Sequence, residues 1–218
     1  MGTKQKILEV SLELFSRRGF SAVSVRDIAA EVGVRESAMY KHFPNKQAVF
    51  DRLVENYMQN CEVFMSGINA MPSPDPAVMA ETAELYKQLT DEDFLRIGGS
   101  VFTDFLMQPE IIKFWRMMSI ERLNNPELAQ LWNKHLFEDP IAFQTGLFSL
   151  LIQIGAIKPV DPGMLALEFF TPLLTLYMNT LPFEPDGPEF VRMLEFANRH
   201  MAHFRETYTI KPKGNKAH

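Results

Sequence analysis

The sequence predicts an all-α protein, with a small N-terminal helix-turn-helix domain followed by a larger helical domain. Three observations predict it. Apolar residues recur at three- and four-residue steps from one end of the chain to the other, as one face of a helix requires. Prolines and glycines punctuate that pattern at intervals suited to ordinary globular helices. No alternating apolar–polar run suited to a strand, internal repeat or low-complexity tract interrupts it.

Ile7, Leu8, Leu12, Leu14 and Phe15 make an amphipathic first helix, closed by Arg17, Arg18 and Gly19. The two cations suit the negative pole at a helix C-terminus. Ser24 caps a second helix over about 25–32, with Asp27 three residues on as a variant capping box and Gly33 as the C′ residue. A third helix is expected over about 35–42, where Pro44 prevents continuation, and Asn45 caps a fourth helix running to about Gly67. The stretch "MPSPDP" marks a loop. Further helices are expected at 77–88, 92–107, 110–124, 127–137, 140–155, 162–181 and 188–207. They are separated at Pro109, Pro126, Pro140, Pro159/Pro162 and "PFEPDGP", because proline lacks a donor and clashes with the preceding turn. The terminal "KPKGNKAH" is expected to fray.

The chain has 218 residues, 46% apolar and 22% charged, ordinary values for a globular protein with room for one large or two small cores. A single cysteine, Cys61, excludes an internal disulfide framework and suits a reducing compartment. The opening "MGTKQKILEV" lacks an apolar signal core followed by a cleavage site. "LFSLLIQIGAI" is too short to span a bilayer, and Glu168 interrupts "MLALEFFTPLLTLYM". A cytoplasmic location without a membrane anchor is therefore expected. The net charge of −5 is unevenly shared. Residues 1–53 carry nine Lys/Arg against six Asp/Glu, or +3, and residues 54–218 carry thirteen against twenty-one, or −8. That asymmetry suggests two jobs in one chain, although +3 is a weak field.

The third helix buries little of itself. Wound at about 100° per residue, it turns Met39 and Phe43 to one side above Val34, while Ser37, Ala38 and Lys41 point away and Tyr40 sits at the margin. Such a segment suits the major groove of DNA, with phosphate contacts around it. The stretch "GFSAVSVRDIAAEVGVRESAMYKHFPNKQAVFDRLV" carries Gly19, Phe20, Ser24, Val25, Ile28, Ala29, Gly33, Val34, Met39, Tyr40, His42, Phe43 and Lys46 at fixed spacing. It resembles the DNA-binding domain of the TetR family of transcriptional regulators over about the first quarter of the chain.

The resemblance implies phosphate contacts from Tyr40, His42 and Lys46, with Ser24 and Arg26 of the second helix also facing DNA. It puts Glu36, Ser37, Ala38 and Lys41 where sequence is read. Ala38 stands where the family often has Thr or Ser, which loses a phosphate hydrogen bond but offers a methyl group to thymine. Ser37 replaces a frequent Gly and Arg35 a frequent Ser. Glu36 repels phosphate yet can accept a proton from cytosine N4, or is simply a solvated acid. For His42 the alternative is packing against the fourth helix.

The resemblance divides the chain into a DNA-binding domain (1–50), an effector-binding and dimerisation domain (51–208) and a flexible tail (209–218). Residues 162–183 contain one charge, Glu168, and so need cover on nearly every side. Phe190, Leu194, Ala197, Met201, Phe204 and Tyr208 follow the spacing of a coiled-coil seam. A homodimer through about 162–181 and 188–207 on a palindromic operator is what the resemblance adds; closure of a monomer's own core is the alternative. The family's effector pocket maps onto Phe102, Phe105, Trp115, Met118, Phe148, Glu168, Phe169 and Tyr177, unless these aromatics only fill a core. Gly98 and Gly99 should loosen one helix, and Pro172 should kink another and free backbone acceptors near Glu168.

No catalytic or metal constellation stands out, and no cofactor is implied. His200 and His203 share a helix face without a completing ligand and are expected to flank the dimer seam. The expectation is a homodimeric repressor that a small, largely apolar effector releases from double-stranded DNA. The rival is a helical dimer that binds an effector or protein and has lost DNA binding.

Overall fold

The computed structural model describes residues 2–67, 75–123, 125–183 and 187–210, and of Phe102 the backbone alone. Among the described residues the helices are α1 (Thr3–Arg18), α2 (Val25–Val32), α3 (Glu36–Tyr40), α4 (Lys46–Gly67), α5 (Pro76–Gln88) and α6 (Asp91–Ser100). They continue with α7 (Pro109–Glu121), α8 (Pro126–Asn133), α9 (Asp139–Gln153), α10 (Pro162–Thr180) and α11 (Pro188–Tyr208). Two π-helical segments, Val101–Leu106 and Lys134–Glu138, join α6 to α7 and α8 to α9. One isolated bridge, Ile157 to Thr209, is the extended pairing among these residues. None of these helices is long and apolar enough to cross a membrane.

The chain forms two compact units, residues 1–67 with 103–134 and residues 68–102 with 135–218. In the first, Ile7, Leu8, Leu12 and Phe15 of α1 are buried with Ile28, Ala29 and Val32 of α2 and Val49, Phe50 and Leu53 of α4. α1 packs more extensively on α7 than on any other helix. The buried face of α7 carries Ile111, Ile112, Phe114, Trp115, Met117 and Met118. In the second unit α10 packs on α9 and α11, α5 on α9, and α6 on α11. Its core gathers Phe143, Leu147, Phe148, Leu151, Leu165, Ala166 and Phe204. A Cβ at Gly98 would overlap the Met201 sulfur, so glycine lets α6 lie close on α11.

Several sequence expectations need correction. The third helix is shorter than 35–42: its α-helical part ends at Tyr40, and Lys41–His42 form a turn that donates from the His42 and Phe43 amides to the Met39 carbonyl, at 2.9 and 3.0 Å. The helix expected at 92–107 is α-helical only to Ser100, the one at 110–124 ends at Glu121, and that at 140–155 ends at Gln153. Pro140 stands in the first turn of α9, a separate α-helix from α8 as expected, but no loop precedes it. Glu138 keeps helical angles (φ −66°, ψ −53°), and the π segment widens the turn that the proline ring would otherwise crowd. The loop "MPSPDP" lies largely, the "PFEPDGP" break partly and the tail from 211 wholly outside the described residues.

Candidate nucleic-acid interface

The α2–turn–α3 unit is set by local chemistry. Ser24 Oγ accepts from the Asp27 amide at 3.1 Å, and Asp27 Oδ2 accepts from the Ser24 amide at 2.8 Å, completing a capping box. The Ser24 hydroxyl also donates to Asp27 Oδ2 at 2.7 Å. These donors, the hydroxyl first, hold the Asp27 carboxyl below the usual carboxylate range. Gly33 ends α2 in the left-handed region (φ 80°, ψ 32°), and its amide reaches the Ala29 and Ala30 carbonyls. Lys6 Nζ donates to the Val32 carbonyl at 2.9 Å and ties α1 to the same end. Asn45 Oδ1 accepts from the Ala48 amide at 2.8 Å and starts α4.

On this frame α3 has two unlike sides. Met39 and Phe43 are buried, 2% and 5% exposed, and the Lys4 ammonium lies 5.6 Å from the Phe43 ring centroid. Glu36, Ser37, Tyr40, Lys41 and His42 are exposed, as are Ser24 and Arg26 of α2; Ala38 is half-buried. The candidate residues of α2 and α3 are therefore brought to one short helix-turn-helix. The Ser24 hydroxyl is engaged in the cap.

Lys46 is placed differently. Its Nζ donates to the Phe20 carbonyl at 2.6 Å and the Val23 carbonyl at 2.7 Å, and lies 4.2 Å from the Phe20 ring centroid. Burial lowers its pKa below the ordinary lysine value, and the Glu121 charge partly offsets that fall. Two of its three donors thus hold the turn between α1 and α2. Sequence reasoning missed the partner on the other side of that turn. Glu121, 4% exposed at the end of α7, accepts from the Ser21 amide at 3.0 Å and the Ser21 hydroxyl at 2.7 Å. Nothing in the sequence around position 121 signals a residue 100 positions away.

The residues expected to hold an effector fall in both units. In the first, Tyr57 stacks on Phe114 with centroids 4.2 Å apart, and Trp115 meets Trp132 edge-on at 5.3 Å. Phe105 and Met118 are buried there too. The indole N–H groups of Trp115 and Trp132 are buried without a hydrogen-bond partner. In the second, Phe169 meets Phe148 at 5.9 Å and Phe204 at 4.9 Å, and Tyr177 is buried. Glu168 is exposed and accepts from the Tyr208 hydroxyl at 2.7 Å, which raises the tyrosine's pKa. Pro172 lies inside α10, and a His200 ring nitrogen sits 2.9 Å from the Phe169 carbonyl, three residues before that proline. His200, expected to flank a dimer seam, makes this contact within its own unit. Phe190, Ala197, Met201 and Phe204 of the α11 seam are likewise buried within this unit. No group of three metal-binding side chains occurs among the described residues.

Comparison with known proteins agrees with this fold. The family described as "Bacterial regulatory proteins, tetR family" matches residues 7–53. The HTH-type transcriptional regulator YerO of Bacillus subtilis (strain 168), itself uncharacterized, is 34% identical over 71 residues, 29% of this chain and 25% of that one. A TetR family transcriptional regulator from Pseudomonas syringae pv. tomato str. DC3000 has 20% identity and a TM-score of 0.63, covering 95% of this chain and 97% of that one. SmeT, the repressor of the Stenotrophomonas maltophilia multidrug efflux pump SmeDEF, has 17% identity and a TM-score of 0.60, covering 100% of this chain and 97% of that one. Residues 7–53 thus match the tetR family of bacterial regulatory proteins, and the chain shares the fold of such regulators along nearly all its length.

Proposed function

We propose that the protein is a homodimeric, cytoplasmic transcriptional repressor that a small, largely apolar effector releases from a palindromic DNA operator. The observation that carries this reading is the two-sided α3, which hides Met39 and Phe43 while exposing Ser37, Tyr40, Lys41 and His42. Its exposed side enters the major groove. Glu36, Ser37, Ala38 and Lys41 meet base edges, Tyr40 and His42 meet phosphates, and Ser24 and Arg26 add contacts from α2. Lys46 has one N–H left for a phosphate beyond the two carbonyls it holds.

A second copy docks on α10 and α11, where Met164, Leu167, Val191 and Phe196 are exposed apolar side chains. The effector reading draws on the aromatic cluster of the first unit. An oxygen acceptor on an otherwise apolar molecule would satisfy the orphaned indole donors of Trp115 and Trp132. Effector binding acts only through its difference in affinity for two conformers of the DNA-binding helices, and α4 carries the change. A SmeT–triclosan complex, with a TM-score of 0.63 to this chain, supports the effector reading.

The rival, a dimer that has lost DNA binding, draws on Glu36 in the reading position and on Lys46 being turned to carbonyls. Gel-shift titration against DNA upstream of the protein's own gene separates the two. A salt-sensitive complex supports the repressor; its absence at micromolar protein supports the rival.

A further inference from the structure

Two side chains far apart in sequence grip one short turn. Between α1 and α2, the Lys46 ammonium holds the Phe20 and Val23 carbonyls, and the Glu121 carboxylate holds the Ser21 amide and hydroxyl. The turn is shaped for this approach. Gly19 has φ 82° and ψ 154°, a region nearly exclusive to glycine, and a Cβ there would overlap Glu121 Oε1 and Ile120 Cγ2. The next residue after the turn is Ser24, the cap of α2. The pose of the turn therefore sets where α2 starts, and α2 carries α3 through Gly33.

α7 is also fixed to α1 at a second point, where Lys113 Nζ lies 2.8 Å from Glu13 Oε2. Burying a carboxylate is costly unless its hydrogen bonds are made, so this arrangement tolerates little displacement. A slide of α7 by one residue's rise, about 1.5 Å, is enough to break a hydrogen bond of this length. Any molecule that shifts the buried side of α7, with Trp115 and Met118 upon it, acts directly on this contact.

We propose that Glu121 is a positioning residue that latches the α1–α2 turn and so aims α2 and α3, making α7 a route of control separate from α4. The proposal rests on the DNA-binding reading above, and its test has an arm that does not.

The experiment compares the full-length wild type with Glu121→Gln, Ser21→Ala and Ser21→Thr. Amide hydrogen exchange of residues 19–25 is measured in the free protein, and affinity is measured for a duplex that the wild type selects from a random pool. Removing an acid from a DNA-binding unit should tighten DNA binding on charge alone. The latch predicts the opposite sign: faster exchange at 19–25 and about tenfold weaker binding in Glu121→Gln, the scale of one charge-assisted hydrogen bond. The salt slope stays unchanged, because Glu121 touches no phosphate. Ser21→Ala, which leaves the charge in place, shows the same direction with a smaller loss, and Ser21→Thr restores wild-type behaviour. Unaltered exchange in both Glu121→Gln and Ser21→Ala overturns the latch. So does faster exchange with DNA binding equal to or tighter than wild type. If the wild type selects no duplex, the functional reading fails, and the exchange arm still decides whether Glu121 holds the turn.

Discussion

Lys46 Nζ reaches back across the helix-turn-helix to the Phe20 carbonyl at 2.6 Å while lying 4.2 Å from the centre of the Phe20 ring. The same ammonium takes the Val23 carbonyl at 2.7 Å. A lysine expected to serve phosphate is thus also part of the domain's own framework. Lys46→Met keeps the stem but removes both hydrogen bonds, and should destabilise the free protein by about 1–2 kcal/mol in denaturant titration. A lysine acting on phosphate alone would leave the free protein's stability unchanged.

Two glycines with similar φ should respond differently to alanine. Gly33 (φ 80°) has no heavy atom within 4 Å of a built Cβ, so Gly33→Ala meets only left-handed strain, about 1 kcal/mol. Gly19→Ala meets the glycine-only backbone of φ 82°, ψ 154° and the Glu121 carboxylate together, and should cost about 2 kcal/mol or more. Equal losses in the two variants, measured by chemical denaturation, would mean that α7 does not press on the turn.

The Glu13 carboxyl is held below its ordinary value of 4.5, chiefly by its hydrogen bond from Lys113. Because its folded pKa is lower than its unfolded one, the contribution is complete above the unfolded pKa of 4.5 and is lost as pH falls through the folded value. Lys113→Met should therefore reduce stability at neutral pH and flatten the acid limb below about pH 4.5. Parallel wild-type and variant curves of stability against pH would contradict this.

The helix-turn-helix was legible in the sequence because its signals are local. Ser24 with Asp27, Gly33 after α2 and Asn45 before Ala48 each act within three residues or at a helix end, and all adopt the expected caps. The two sides of α3 follow from helical period alone. Pro140 marked the start of α9, but the π segment ahead of it, in place of a loop, had no signal in the sequence. The Glu121–Ser21 contact was invisible for a different reason: a tertiary hydrogen bond across 100 residues has no spacing rule, and a lone Glu at a helix end looks like a solvated charge. The bond of His200 to the Phe169 carbonyl was not legible, since Pro172 withholds a donor from the Glu168 carbonyl four residues back and signals nothing about Phe169.

Trp115 and Trp132 are the only tryptophans in the chain, so its indole fluorescence reports on them alone. An effector that supplies an acceptor to their N–H groups should shift the emission. Trp115→Phe should weaken its binding by about tenfold or less, the value of one hydrogen bond. An effector that displaces DNA without altering emission would place its site elsewhere.

Val191→Asp with Phe196→Asp puts charge on the exposed apolar side chains of α11. If a second copy docks there, the pair should convert a dimer into a monomer in sedimentation without loss of helicity. A dimer that survives both changes would move the interface to another face.

The salt dependence of DNA binding tests the central claim most directly. The wild type and the double variant Tyr40→Phe with Lys46→Ala are titrated against one selected duplex over a range of salt. The account predicts a steep linear fall of log affinity with log salt for the wild type, and for the variant weaker binding with a slope shallower by about one unit. An unchanged affinity and slope in the variant would contradict the phosphate roles of Tyr40 and Lys46. A wild type that forms no salt-sensitive complex would contradict the account at its root.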